Sequence, residues 1–462
     1  MPNKPEKSKK NADLLRLAII LLFLLTAMCC FAFTQPFGDG PDEINRFKVV
    51  SYIANHGTLP VGDDPEIIID GYGASYAFQP MLTYIIEGYL LFILKPLSLS
   101  AASALYIARF VNIIFGLFAA VYTYKLSKLL FSDNSVSFLF TLAVVLLPQN
   151  IFIFTYVNTD GCGLLSCAMI LYALILGYKS NFNKSSVINL AVGMVLCLMS
   201  YYNCYGHILA AFVAFLLFYL INKDISPKEM FKKGGIIAAI VLVGAGWWFI
   251  RNMILYDGDI FALNARRICA AQTGNSAFLA TMSETYQAMG YSLYEMVFRT
   301  DYYTLTWKSF IGMFGPMCIP ISHYQYMIYK YLTIICLAGV LAGLVIRFIR
   351  PKESGIFPGQ SHKNAVVLNI TLSVSMIIPI VLALVYSYSW DFQPQGRYYL
   401  PILLILAFVL VSGLNKILSP IVSKLSEISS KLSACVYHIF YAFFFLNAMF
   451  SIWMMFKYYG VL

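Results

Sequence analysis

Phe37-Gly38-Asp39-Gly40-Pro41-Asp42-Glu43-Ile44-Asn45-Arg46-Phe47 follows closely on the apolar run Leu14–Phe33. Such a run is long enough to cross the hydrocarbon core, which takes roughly 17–25 apolar residues as a helix. Two adjacent carboxylates and an arginine just beyond it are costly beside lipid unless they face water or a partner. They therefore mark a functional site at a membrane surface. The basic stretch Lys4–Lys10 precedes the run. The run is longer than a cleavable signal's apolar region, so it reads as a retained signal anchor.

Working outward, the same kind of run recurs along the chain. Of 462 residues, 60% are hydrophobic and only 12% charged, and mean hydropathy is +0.73. A soluble domain carries about twice that charged fraction. The chain reads as an all-α polytopic membrane protein forming one integral domain over residues 1–462. Its net charge of +10 bears on orientation and on anionic membrane lipids, with nucleic acid excluded as a partner. The ten cysteines have neither a disulfide framework nor zinc spacing.

Twelve apolar runs compete as spans. Phe78–Leu94 is the weak one, being short, starting near Pro80 and carrying Glu87 at its middle. Demoting it to an interfacial helix leaves about eleven spans. Lysine-rich segments, among them Lys125, Lys128, Lys179, Lys184, Lys228, Arg350 and Lys352, then share one side. That bias places the N-terminus in the cytoplasm. The acids fall on the other side, with two long outer loops over residues 35–105 and 252–325. Long structured loops carry function. The inner loops have no nucleotide-binding motif and no phosphate-cradling Gly-rich loop, which excludes cytosolic ATP as the energy source.

Within the first outer loop, Pro41–Gly57 reads as an amphipathic helix. Pro41 suits a first helical position, and Asp42 and Glu43 suit the positive end of the dipole. Ile44, Phe47 and Ile53 would face lipid. One of the two carboxylates, Asp42 or Glu43, is the candidate general base; plain helix-start acids are the alternative. Arg109 lies inside a span near its outer end and must pair with Glu87, with Asp42 or with a phosphate. Asn158-Thr159-Asp160-Gly161 is turn chemistry with Asp160 as a candidate contact. Arg251 follows Trp247-Trp248-Phe249-Ile250, an interface anchor. Arg397 opens a span after a very short outer loop, beside Tyr398. Its planar fork suits bidentate phosphate binding. The five histidines have no helical metal spacing, and a divalent metal is possible without being required.

These segments resemble the GT-C superfamily of membrane glycosyltransferases, which includes the protein O-mannosyltransferases and the aminoarabinose transferase of lipid A. Pro41-Asp42-Glu43 with Arg46-Phe47 is similar to that family's acidic motif after the first span. Gln79-Pro80-Met81-Leu82-Thr83-Tyr84 is a partial match to its second surface helix. Ala108-Arg109-Phe110-Val111-Asn112 is similar to its arginine opening the next span. Trp248-Phe249-Ile250-Arg251-Asn252 and Gln395-Gly396-Arg397-Tyr398-Tyr399-Leu400-Pro401 resemble a bacterial branch of unknown function. The resemblance implies a GT-C-like fold and a sugar donor carried on polyprenyl phosphate. The acceptor would be an envelope glycan, lipid or protein at the outer face of a bacterial plasma membrane. It implies Asp42 and Glu43 as catalytic residues, and Arg46, Arg109, Asp160, Arg251, Arg397 and Tyr398 as substrate contacts. No soluble C-terminal domain is expected. A surface-polysaccharide polymerase or ligase, and a transporter of lipid-linked sugars without chemistry, are the alternative readings.

Overall fold

The computed structural model describes residues 4–276, 284–349 and 361–461. Arg350 and Lys352 lie outside the described residues, as does part of the second long loop. Among the described residues the secondary structure is helical apart from one hairpin of two-residue strands, Met313–Phe314 with Ile319–Pro320. In chain order come α1 (Lys4–Thr34), α2 (Glu43–His56), α3 (Leu82–Leu94), α4 (Ala101–Leu130), α5 (Asn134–Val145) and α6 (Pro148–Phe152). They are followed by α7 (Asp160–Ser180), α8 (Lys184–Leu198), α9 (Tyr205–Ile221), α10 (Pro227–Val241), α11 (Trp247–Leu255) and α12 (Leu263–Thr273). Four long helices complete the bundle: His323–Ile349, His362–Ser389, Leu403–Ile428 and Ser430–Tyr458.

Nine helices among the described residues are long and apolar enough to cross a membrane, by length and composition. Asn134–Val145 and Lys184–Leu198 are apolar but shorter. Pro148 is why the run near 136–156 is not one straight helix. It lacks the N–H a helix interior needs but suits a first turn, so α5 ends and α6 starts at it. A π-turn at Leu242–Gly246 joins α10 to α11, the single-turn form in which π-helix occurs inside longer helices. α7 is central, its most apolar stretch 89% buried, and packs on both α4 and α8.

The two shorter helices of the first long loop, α2 and α3, pack on each other. At 13 residues α3 is too short to span, and it lies against α2 and α4. Gly88 makes the approach possible, because a Cβ there would stand 2.5 Å from the Ile53 Cβ. Ile53 is thus fully buried against α3, whereas the sequence pattern had it facing lipid. Ile44 is half exposed, and Phe47 packs edge-on against Phe37 at 5.5 Å. A separate apolar cluster beneath these helices joins Val49, Val50, Ile53, Met81, Tyr84 and Trp248.

The second long loop is tied to the first. Gly73 O accepts from Thr273 Oγ1 at 2.5 Å and from Cys269 Sγ at 3.2 Å, and the Asn275 amide donates to Gly71 O at 2.9 Å. Both loops therefore stand at one end of the bundle. At the other end Lys128 pairs with Asp13, Lys179 donates to Leu129 O and Lys233 donates to Asn181 O.

Candidate active site

The site is organised by Asp42. The helix begins at Glu43, one residue later than Asp42, which holds a left-handed backbone at φ 61° and makes no side-chain cap. That conformation is uncommon outside glycine and best tolerated by Asp and Asn. Its consequence is to turn the carboxylate away from the helix N-terminus. Asp42 Oδ2 instead accepts from Arg397 Nη2 at 3.2 Å and stands 3.5 Å from Arg46 Nη2. The Tyr76 ring, 5.2 Å from the Arg46 guanidinium, lies beside this group. With 38% of its side chain exposed, Asp42 is open to a ligand. Burial raises its pKa, but Arg46, Arg397 and Tyr76 together outweigh that and hold it below the ordinary carboxylate range.

Glu43, one residue on, has the opposite surroundings. It is fully buried and held bidentately by Arg109, with Nε to Oε1 at 2.7 Å and Nη2 to Oε2 at 2.6 Å. The amides of Gly38 and Val157 donate to the same carboxylate. Arg109 spends its remaining N–H groups on Ala32 O, Gln35 O and Pro36 O, at 2.6, 2.7 and 3.0 Å. A guanidinium has five donors, and all five are used. The geometry leaves Arg109 no donor for a phosphate and Glu43 no free lone pair facing solvent. Of the partners open to Arg109 in the sequence, neither Glu87 nor Asp42 is the one it takes. Glu87 is buried and accepts from Asn112 Nδ2 at 3.0 Å. Burial, reinforced by Glu43, pushes its pKa well above the ordinary value.

Arg46 joins the two carboxylates that remain. Its Nη1 donates to Asp160 Oδ2 at 3.1 Å, and its guanidinium lies 5.2 Å over the Tyr76 ring. Asp160 opens α7, where Asn158 takes the capping role by accepting from the Gly161 amide at 3.0 Å. That frees Asp160 for Arg46. Arg397 sits in a short 3₁₀ turn, Gly396–Ile402. Gly396 allows it, since a Cβ there would lie 2.0 Å from the Phe310 amide nitrogen, and its N–H donates to Ser309 Oγ at 2.7 Å. Arg397 Nη2 also donates to the Tyr398 hydroxyl at 3.3 Å, and its Cζ lies 5.2 Å over that ring.

The structure thus brings together Asp42, Arg46, Asp160, Arg397 and Tyr398. Arg251 is held apart, donating to Pro60 O at 2.6 Å and lying 5.1 Å over the Trp248 ring. Three guanidinium atoms of the cluster are buried without a partner: Arg46 Nε, Arg397 Nε and Arg397 Nη1. Unpaired buried donors of this kind are costly, and they are suited to an anion. Tyr76 is a site residue that sequence reading missed, as is Tyr156, which feels both Arg397 and Asp160. Among 33 tyrosines neither carries a local signal. Burial pushes the Tyr76 hydroxyl up to about 12 against the opposing pull of Arg46, so it stays a hydrogen-bond donor. Among the described residues no group of three or more His, Cys, Asp or Glu side chains is arranged to hold a metal ion.

The bundle, with its two long loops gathered over one end, is similar to solved membrane glycosyltransferases. The Archaeoglobus fulgidus oligosaccharyltransferase AglB, in complex with an inhibitory peptide and a dolichol-phosphate, is 14% identical with a TM-score of 0.57. The match covers 97% of this chain and 56% of that one. The same organism's oligosaccharyltransferase in its apo form is 13% identical with a TM-score of 0.56, covering 96% and 56%. ArnT from Cupriavidus metallidurans bound to undecaprenyl phosphate is 11% identical with a TM-score of 0.49, covering 96% and 76%. The chain therefore spans little more than half the length of the oligosaccharyltransferase. At these identities the likeness is one of fold alone, that of the helical bundle of the Archaeoglobus fulgidus oligosaccharyltransferase. The chain belongs to the family described as "Predicted membrane protein (DUF2142)", whose model matches residues 69–406. None of the curated proteins matches it. The matched segment contains Arg109, Asp160, Arg251, Arg397 and Tyr398, and begins after Asp42 and Arg46.

Proposed function

We propose that this protein is a glycosyltransferase that moves a sugar from a polyprenyl-phosphate donor to a hydroxyl of an envelope glycan, lipid or protein. The observation that carries the reading is a half-exposed carboxylate, Asp42, paired with Arg397, whose Nε and Nη1 nitrogens are buried and unpartnered. A base and an anion site are thus side by side. In the reaction the acceptor hydroxyl attacks the anomeric carbon, and Asp42 takes its proton. The bond from that carbon to the phosphate oxygen breaks, and the phosphate leaves with the electron pair. Arg397 stabilises the charge that develops on it.

The pairing of Asp42 with Arg397 has a kinetic meaning. In the resting geometry two guanidinium groups lower the basicity of Asp42, which is unfavourable for a general base. When Arg397 turns its hydrogen bonds to a phosphate, Asp42 loses one of those cations and its basicity rises. The base is strengthened when a donor is bound. Arg46, anchored by Asp160, stays in place and orients Asp42 from its other side. Glu43 and Arg109 hold the start of α2 to α4 and so position Asp42 without touching substrate.

Lipid-linked donor chemistry accords with the AglB structure, which holds a dolichol-phosphate. The lysines gathered at the end of the bundle opposite Asp42 support an N-terminus in the cytoplasm and a site at the outer face. The test is to supply membranes containing the protein with labelled polyprenyl-phosphate sugars. Glycosyl transfer releases free polyprenyl phosphate and moves the label to an envelope fraction. Label that crosses the bilayer still attached to its lipid would make the protein a transporter instead.

A further inference from the structure

Arg266 is not needed for the chemistry above, and it stands beside it. It belongs to α12, the helix of the second long loop that packs on the turn carrying Tyr76. Its guanidinium lies 5.2 Å over the Tyr72 ring, and it is within electrostatic reach of the Tyr76, Tyr202 and Tyr386 hydroxyls. The Tyr76 ring lies against Arg46, and the Tyr386 ring is 6.3 Å from Tyr398, the neighbour of Arg397. The helix carrying Arg266 thus packs beside the Tyr76 turn that borders the Asp42 cluster.

Among the described residues no carboxylate pairs with Arg266, and its Nε is buried without a hydrogen-bond partner. Asp259, in the turn before α12, is committed to the start of that helix, accepting from the Asn264 and Ala265 amides at 2.7 and 2.9 Å. The next residue, Arg267, is exposed and donates to Asn264 Oδ1 at 3.0 Å, so the orphaned donor is particular to Arg266. A partly exposed guanidinium stacked on a tyrosine ring, with no carboxylate paired to it among the described residues and its Nε left unpartnered, fits an anionic oxygen group on a polar substrate.

We infer that Arg266, with Tyr72, Tyr202 and Tyr386, forms a second anion-recognising subsite, which takes an acidic group of the substrate other than the phosphate attached to the transferred sugar's leaving oxygen at Arg397. The inference rests on the lipid-linked donor reading. Two sources supply such a group: the lipid-proximal phosphate of a lipid diphosphate, or the carboxylate of an acidic sugar. They are separated by charge placement, so paired probes distinguish them.

The experiment uses the full chain in detergent micelles and competition against labelled undecaprenyl phosphate. One probe pair is undecaprenyl diphosphate against undecaprenyl phosphate; the other is glucuronic acid 1-phosphate against glucose 1-phosphate. The wild type should prefer the more acidic member of one pair by about tenfold or more, the range of one charge-assisted hydrogen bond. Arg266→Gln should abolish that preference while its affinity for undecaprenyl phosphate stays within about twofold, which also reports an intact fold. Arg267→Gln removes the same charge one residue away and should keep the preference. A wild type indifferent within both pairs, a preference surviving in Arg266→Gln, or an equal loss in Arg267→Gln would each overturn the inference. Failure of the wild type to bind undecaprenyl phosphate at all is a different result: it removes the lipid-linked donor reading, and this subsite with it.

Discussion

Glu43 and Arg109 meet as a bidentate ion pair at 2.6 and 2.7 Å with neither side chain exposed. The pair fastens the first turn of α2 to α4. A buried pair is only weak support for net stability, but removing one partner leaves the other charged and unsolvated, at a cost of about 3–5 kcal/mol. Glu43→Gln and Arg109→Ala should both lower the free energy of unfolding in detergent by an amount in that range. A variant of normal stability that has lost donor binding would instead make Arg109 a ligand contact.

Arg397 differs from Arg109 in keeping two donors unpartnered. Arg397→Ala should weaken undecaprenyl phosphate binding by about tenfold or more. Arg397→Lys should recover little of it, because the planar fork is lost while the charge remains. Equal affinity in the wild type and Arg397→Ala would remove the phosphate role.

Much of this arrangement is legible in the sequence, and the limits have physical causes. The apolar runs lie where the helices are, because membrane burial imposes composition directly. Phe78–Leu94 contains a short helix packed on α2, as its length and Glu87 imply. Pairing is harder to read. Asp42 and Glu43 are adjacent and chemically alike, and only the left-handed backbone at Asp42 sends one to water and the other into the protein. Arg109 lies 66 residues from Glu43, and its span offered three possible partners of similar merit. Tyr76 had no local pattern to mark it.

Glu87 gives a pH test. Burial first, then the Glu43 charge, hold its carboxyl protonated well above the ordinary range. The folded state then binds a proton the unfolded chain releases. The resulting stability is complete below the ordinary carboxylate value and is lost as pH rises through the folded value. Glu87→Gln mimics the protonated form, so it should be at least as stable as the wild type at pH 8 and should flatten the decline between about pH 5 and 8. Denaturant unfolding across that interval checks it. A uniform loss of about 2 kcal/mol or more would show that the carboxyl is ionised and needed.

Orientation is open to labelling. Ser98 and Ser185 are both exposed, at opposite ends of the bundle. In a background without the exposed Cys318 and Cys435, Ser98→Cys should react with an impermeant thiol reagent added outside intact cells. Ser185→Cys should react only after permeabilisation. The reverse pattern would place the Asp42 site in the cytoplasm.

The central claim is that Asp42 is the base, and Asp42→Asn tests it most directly. The substitution keeps shape and hydrogen-bonding capacity and deletes the basic oxygen. General-base catalysis is worth typically 10²–10⁴-fold, so release of polyprenyl phosphate from its sugar should slow by about two orders of magnitude or more. Undecaprenyl phosphate binding should be kept, since Arg397 remains, and the unfolding midpoint should fall only modestly, since the pairs Asp42 makes with Arg46 and Arg397 are partly exposed and it caps nothing. The measurement is single-turnover release of polyprenyl phosphate by wild type and Asp42→Asn at matched donor occupancy. A rate in Asp42→Asn reduced at least a hundredfold with binding intact is the predicted result; a rate equal to that of the wild type would contradict the account.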